Sequence, residues 1–114
     1  MRLAHLLIAP VALVTTSAVA ITPERSQAVT IAARTGEVVG AAEACGVPES
    51  ELVELGRKVI GWARDTALDA AELRRAQQAH EAAVTRGADR MRRAGGKACE
   101  GAVAAFRDLE RERR

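Results

Sequence analysis

The side chains in this 114-residue chain that could carry chemistry are two cysteines, a histidine deep in the sequence, a spaced series of arginines and scattered carboxylates. Cys45 and Cys99 could form a structural disulfide, a redox pair or part of a metal site. No C-x-x-C occurs and no histidine neighbours either cysteine in sequence, so the spacing points to a structural bridge. His80 is a candidate pH sensor, because an imidazole titrates near neutrality. A general base needs a nucleophile or an orienting carboxylate within hydrogen-bond reach, and a metal needs several converging ligands. Met91 shares the histidine's helix face but lies roughly 16 Å away along the axis, and Glu81 points elsewhere. A semi-buried histidine bonded to a backbone or side-chain partner is therefore expected, with pH sensing as the functional alternative. No Ser-His-Asp set, glycine-rich phosphate loop or haem motif is present, so no catalytic residue, metal or cofactor is expected.

Arginine spacing supplies the one polar surface feature. Arg86, Arg90, Arg93 and Lys97 recur at intervals of four, three and four, which on a continuous helix makes a basic ridge opposite the His80 stripe, and Arg75 extends it. Such a ridge could meet anionic lipid, lipopolysaccharide, peptidoglycan or an acidic partner protein. Its bland alternative is a solvated face neutralised by Glu72, Asp89 and Glu100.

Four helices must hold these groups. Thr22-Pro23-Glu24 is a helix start, with a capping hydroxyl, a first-turn proline and an acid at the positive end of the dipole. From there a helix to Cys45 presents Ala28, Ile31, Thr35, Val38, Ala42 and Cys45 as one stripe, and Gly46-Val47-Pro48 ends it. Gly36 and Gly40 lie off that stripe. They match a G-x-x-x-G pair, but that signal has its meaning in apolar membrane helices, so a weak, small-faced helix is expected. A second helix, about 49–64, buries Leu52, Leu55, Gly56, Val59 and Ala63, with Ile60 and Trp62 flanking, and anchors the core. Asp69-Ala70-Ala71-Glu72 is a capping-box variant opening a long third helix. Its expected inward stripe is Leu73, Gln77, His80, Val84, Gly87, Met91 and Ala94. After Gly95-Gly96 a short last helix carries Cys99, Val103 and Phe106 on one side, with Ala102 and Leu109 beside them.

The predicted architecture is all-α, a small up-down bundle of about four helices. Cys45 ends the first helix and Cys99 begins the fourth, so both fall at the same end of the bundle, where one disulfide can join them.

The N-terminus sets the compartment. Met1-Arg2, the apolar run from Leu6 to Val14 and the small residues Ala18-Val19-Ala20 form a signal-peptide pattern, with cleavage expected after Ala20. The alternative is an inner-membrane anchor made by an uncleaved N-terminus, against which His5, Pro10 and Thr15-Thr16-Ser17 argue. The divisions are a signal peptide at 1–20, a helical domain at 21–110 and a charged tail at 111–114. A periplasmic or secreted location follows, oxidising enough for a disulfide. Loss of Arg2 leaves sixteen basic against fifteen acidic side chains. That near-neutral balance does not point to a nucleic-acid binder, and export rather than charge argues against a nucleic-acid partner; without the leader no stable membrane span remains. The domain's twenty alanines against nineteen larger apolar residues make a thin core.

Gly-Glu-Val-Val-Gly-Ala-Ala-Glu-Ala-Cys-Gly at 36–46, the Ala- and Arg-rich third helix, and Cys99 followed by Val103 and Phe106 resemble a group of small, exported, uncharacterised proteins of Gram-negative bacteria. Those proteins share a leader, a Cys-Gly ending the first helix and a second cysteine near the last one. The resemblance covers about Thr35 to Leu109 and implies export without implying an activity. Two function classes remain: a periplasmic interaction or structural protein whose helix surfaces bind an envelope protein or anionic envelope component, and a small chaperone similar in size and single-disulfide design to acid-activated periplasmic chaperones.

Overall fold

The computed structural model describes residues 26–112, which form four α-helices and no strand. The signal segment, the helix start anticipated at Thr22-Pro23-Glu24 and residues 113 and 114 of the tail lie outside the described residues. Helix α1 (Gln27–Ala44) begins after Ser26, whose extended backbone and side-chain oxygen cap the Val29 N–H at 3.2 Å. Its other end closes as a Schellman motif: Val47 N–H reaches Ala42 O, Gly46 N–H reaches Glu43 O, and Gly46 takes a positive φ of 88°. That closure makes Cys45 the cap residue and tucks Val47 into the core.

Helix α2 (Glu49–Thr66) buries Leu55, Val59, Trp62 and Ala63, close to the face expected for it. Helix α3 (Ala70–Ala94) opens on Asp69, whose carboxylate accepts the Glu72 N–H at 2.7 Å. The reciprocal half of a capping box is shifted by one residue, because Glu72 accepts from Leu68 N–H, at 2.7 Å, rather than from Asp69 N–H. At Gly95, with φ of 83°, the chain leaves α3 and makes one 3-10 turn (Gly96–Ala98) into helix α4 (Cys99–Arg111). Arg111 thus belongs to the last helix, where it pairs with Asp108.

Helix directions alternate. Ser26 at the start of α1 meets Glu72 at the start of α3, while Ala63 near the end of α2 clusters with Ala28. Cys45 and Cys99 meet at the opposite end, with Cα atoms 5.4 Å apart in the predicted disulfide. Helix α1 is the hub and touches the other three. On one side, Ile31, Val39 and Ala42 join Leu55, Val59, Trp62, Phe106 and Leu109 of α2 and α4 in the main apolar cluster. Phe106 and Val59 are completely covered there, and they are the largest side chains buried outright.

The other side of α1 departs from the predicted stripes. Parallel to it lies α3, in contact through residues with little or no side chain. A methyl group on Gly40 would stand 1.9 Å from Val84 O, and one on Gly87 would stand 2.2 Å from Glu37 O. The Gly36/Gly40 pair, expected from the sequence to make only a weak, small-faced helix, is therefore a backbone-to-backbone contact in this fold. For the same reason the buried face of α3 is Glu72, Ala76, Ala83, Gly87, Ala88 and Met91. Leu73, Gln77, His80 and Val84 flank that line half-buried, and Ala94 is exposed. Two helix axes can approach this closely only where the facing positions are Gly or Ala, so the larger side chains are pushed to the edges of the seam.

Candidate functional site

Three polar arrangements sit along the α1–α3 seam, each positioned by the close approach of the two backbones. At its start, Ser26 donates its hydroxyl to Glu72, and Leu68 N–H donates to the same carboxylate. Both side chains are nearly inaccessible, Ser26 at 2% and Glu72 at 5% exposure, although they lie at the end of the bundle. These hydrogen bonds, the Ser26 bond foremost, hold the Glu72 carboxyl below its ordinary pKa of 4.5. The buried knot ties the cap of α1 to the first turn of α3, so its role is architectural.

At mid-seam, His80 Nδ1 lies 3.3 Å from Ala32 O, the backbone partner anticipated for a semi-buried histidine. Burial pushes its pKa below 6.5, while the Ala32 carbonyl and the Glu81 charge act in the opposite direction. Among the described residues no group of three His, Cys, Asp or Glu side chains converges to hold a metal. The Ala32 carbonyl faces Nδ1 of His80, and among the described residues no carboxylate is hydrogen-bonded to the ring.

The third arrangement is the basic series, and it does not lie where the sequence pattern put it. Arg86 Nε is 3.6 Å from Glu37 Oε1 and Arg90 Nη1 is 3.2 Å from Glu37 Oε2, so both arginines reach across the seam to α1. They line the edge of the buried face instead of standing opposite it, a consequence of the rotated α3 interface. The anticipated neutralising acids are also different. Asp89 pairs with Arg92 at 2.9 Å, Glu72 is engaged in the seam knot, and Glu37 is the carboxylate that meets the series. Nothing in the periodicity singled out Glu37. Its signal would have been the Gly36 beside it, which brings α1 within reach of α3.

Arg93 and Lys97 are exposed and have no ion-pair partner among the described residues. Lys97 belongs to the 3-10 turn after α3 ends at Ala94, so the helical ridge stops at Arg93 and the turn carries the last cation. Arg75 lies three turns before Arg86, roughly 16 Å along the axis, and its charge acts on Glu72. What emerges is a basic flank, Arg86, Arg90, Arg93 and Lys97, running from mid-seam toward the disulfide end around a single carboxylate. The two guanidiniums on Glu37 are about half exposed, at 56% and 54%, and accessible to a ligand.

No family model, curated protein or solved structure matches this chain. The fold defines an all-α, disulfide-linked small domain, and no helix among the described residues is long and apolar enough to cross a membrane.

Proposed function

We propose that this is an exported, non-catalytic protein that docks on an anionic, phosphate-bearing envelope membrane through the basic flank of α3. One observation carries the proposal: along an open edge Arg86 and Arg90 share one carboxylate, Glu37, while Arg93 and Lys97 have no ion-pair partner among the described residues. Guanidiniums suit the task, because their forked donors match oxyanions and are weakly hydrated for cations. Export is supported by the Cys45–Cys99 bridge, which persists in oxidising compartments, together with the leader pattern of residues 1–20. The resemblance to small exported Gram-negative proteins agrees with that location.

The test is sedimentation with vesicles containing phosphatidylglycerol in phosphatidylcholine. The mature protein should bind at low salt, release as salt screens the charges, and lose binding when Arg86, Arg90 and Arg93 are all changed to glutamate. Helix content should survive that change, since glutamate is a good helix former at exposed positions. Equal binding by both proteins, or binding by neither, overturns the assignment and leaves a protein partner as the ligand class.

A second role, an acid-opened chaperone, is favoured by the placement of His80 at the α1–α3 seam, its Nδ1 3.3 Å from Ala32 O. Its protonation is opposed by burial, so acid acts against the α1–α3 seam. Capture of unfolded clients by the mature protein at low pH, and not at neutral pH, would support that role; equal capture at both would refute it.

A further inference from the structure

The basic flank already holds an anion of its own. Glu37 places one oxygen on Arg86 and the other on Arg90, the two-point contact that two oxygens of a phosphate would make with the same guanidiniums. We infer that Glu37 is an internal competitor for the phosphate site, which a ligand phosphate must displace from Arg86 and Arg90, and that a monoester repays this displacement better than a diester. The inference rests on the proposed membrane docking and adds what the flank prefers.

Backbone and side chain of Glu37 have different freedoms. Its carbonyl oxygen, carbonyl carbon and Cα all lie against Gly87, within 3 Å of where a methyl group there would stand, so the residue's main chain is fixed in the seam. The carboxylate is at the surface, 37% exposed, and can swing into solvent by side-chain rotation alone. A ligand phosphate can therefore take its place without moving either helix. Displacement leaves one carboxylate to be hydrated and gives the arginines a new partner. A diester brings a single negative charge and so roughly replaces like with like. A monoester carries close to two charges near neutrality and three unesterified oxygens, so it gains over the carboxylate it expels. Arg93 and Lys97, further along the same flank, lack a competitor of this kind among the described residues and add to the attraction of either ligand, more for the doubly charged one.

The experiment compares vesicles carrying phosphatidic acid, a monoester, with vesicles carrying phosphatidylglycerol, a diester, matched in surface charge. Wild-type protein, E37Q and the control E54Q are measured on both; the control removes the same charge from α2, where Glu54 makes no ion pair among the described residues. Exposed ion pairs of this kind correspond to on the order of three- to tenfold in affinity when both contacts are removed. E37Q should raise binding to both vesicles by about that factor, with E54Q raising it less. The monoester preference, set by the ligand's own charge, should persist in E37Q. An E37Q increase no larger than that of E54Q overturns the role of Glu37 while leaving the docking proposal standing. Binding of neither vesicle by either protein overturns both. Far-UV circular dichroism of each variant confirms that the helices are retained.

Discussion

Adding one methyl group to a glycine should have opposite effects on the two sides of α1. At Gly40 the new carbon would stand 1.9 Å from Val84 O, 2.7 Å from Val84 C and 2.9 Å from Ala88 N, all of them backbone atoms of α3. An ordinary carbon–oxygen contact is about 3.3 Å or longer, so α1 and α3 must move apart by about 1.4 Å. Neither helix can yield locally, because the obstructing atoms are held in its own hydrogen-bond ladder. A gap of that width forfeits half or more of the dispersion attraction along the line of contact. Overpacked sites lose about 1–3 kcal/mol, and a shift of two whole helices belongs at the upper end. The better helix propensity of alanine returns about 1 kcal/mol, so Gly40→Ala should destabilise by about 2 kcal/mol. In α2, Gly56 and Gly61 have nothing within 4 Å of the same methyl position. There the propensity gain stands alone, and Gly56→Ala should stabilise by about 0.5–1 kcal/mol. Urea titrations followed by circular dichroism give both values. With a slope near about 1 kcal/mol per molar for so small a domain, the midpoints should separate by more than about 2 M. A Gly40→Ala midpoint at or above wild type would refute the backbone contact between α1 and α3.

Two further outcomes follow from the same structure. Replacing both Cys45 and Cys99 with serine opens a closed segment with a sequence separation of 54; loop entropy then sets a loss of up to about 4 kcal/mol, with at least about 2 kcal/mol expected in a denaturant titration. An unchanged midpoint and slope would remove the bridge from the account of stability. For pH, the unfolded chain takes up a proton at His80 near 6.5, while burial holds the folded pKa lower. The histidine's contribution is therefore complete above pH 6.5 and is lost as pH falls through the folded value. Glu72 adds a second loss below 4.5 by the same sign. His80→Gln should flatten the upper part of the stability profile, between about pH 7 and 5, and a profile unchanged by that substitution would exclude His80 as its source.

Local chemistry was legible residue by residue wherever one residue type has one strong reason to be there. Asp69 caps α3, Gly46 closes α1 with a positive φ, and the alternation of helix directions brings Cys45 to Cys99. The face of α2 was legible because Leu55, Val59 and Trp62 are large and their burial dominates its orientation. Helix α3 offered no such guide. Its larger apolar residues, Leu73 and Val84, are few and end up half-buried, whereas the contact line is Ala76, Ala83 and Gly87. Hydrophobic periodicity weights side chains by their apolar surface, and a seam built on the lack of side chains is nearly invisible to it. The usable signal was steric: Gly36 and Gly40 four apart on one helix, with Ala83 and Gly87 four apart on another.

The error about the seam and the error about the basic flank have one cause. With Leu73, Gln77, His80, Val84, Gly87, Met91 and Ala94 taken as the inward stripe, of which Gly87 and Met91 are in fact buried, Arg86, Arg90 and Arg93 fall on the far side of α3, facing water with only their own helix's acids for company. Turning the helix so that Ala76 and Ala83 join Gly87 on the inward face carries those arginines to the border with α1, where Glu37 meets two of them. Gly87 is the residue that links packing to charge. Its missing side chain admits the backbone of Glu37, and that approach lets the carboxylate bridge to Arg86 and Arg90. Widening the seam would therefore do more than weaken the fold. It would draw Glu37 away from both guanidiniums, so the small residues between α1 and α3 set the charge presented along the flank as well as its shape.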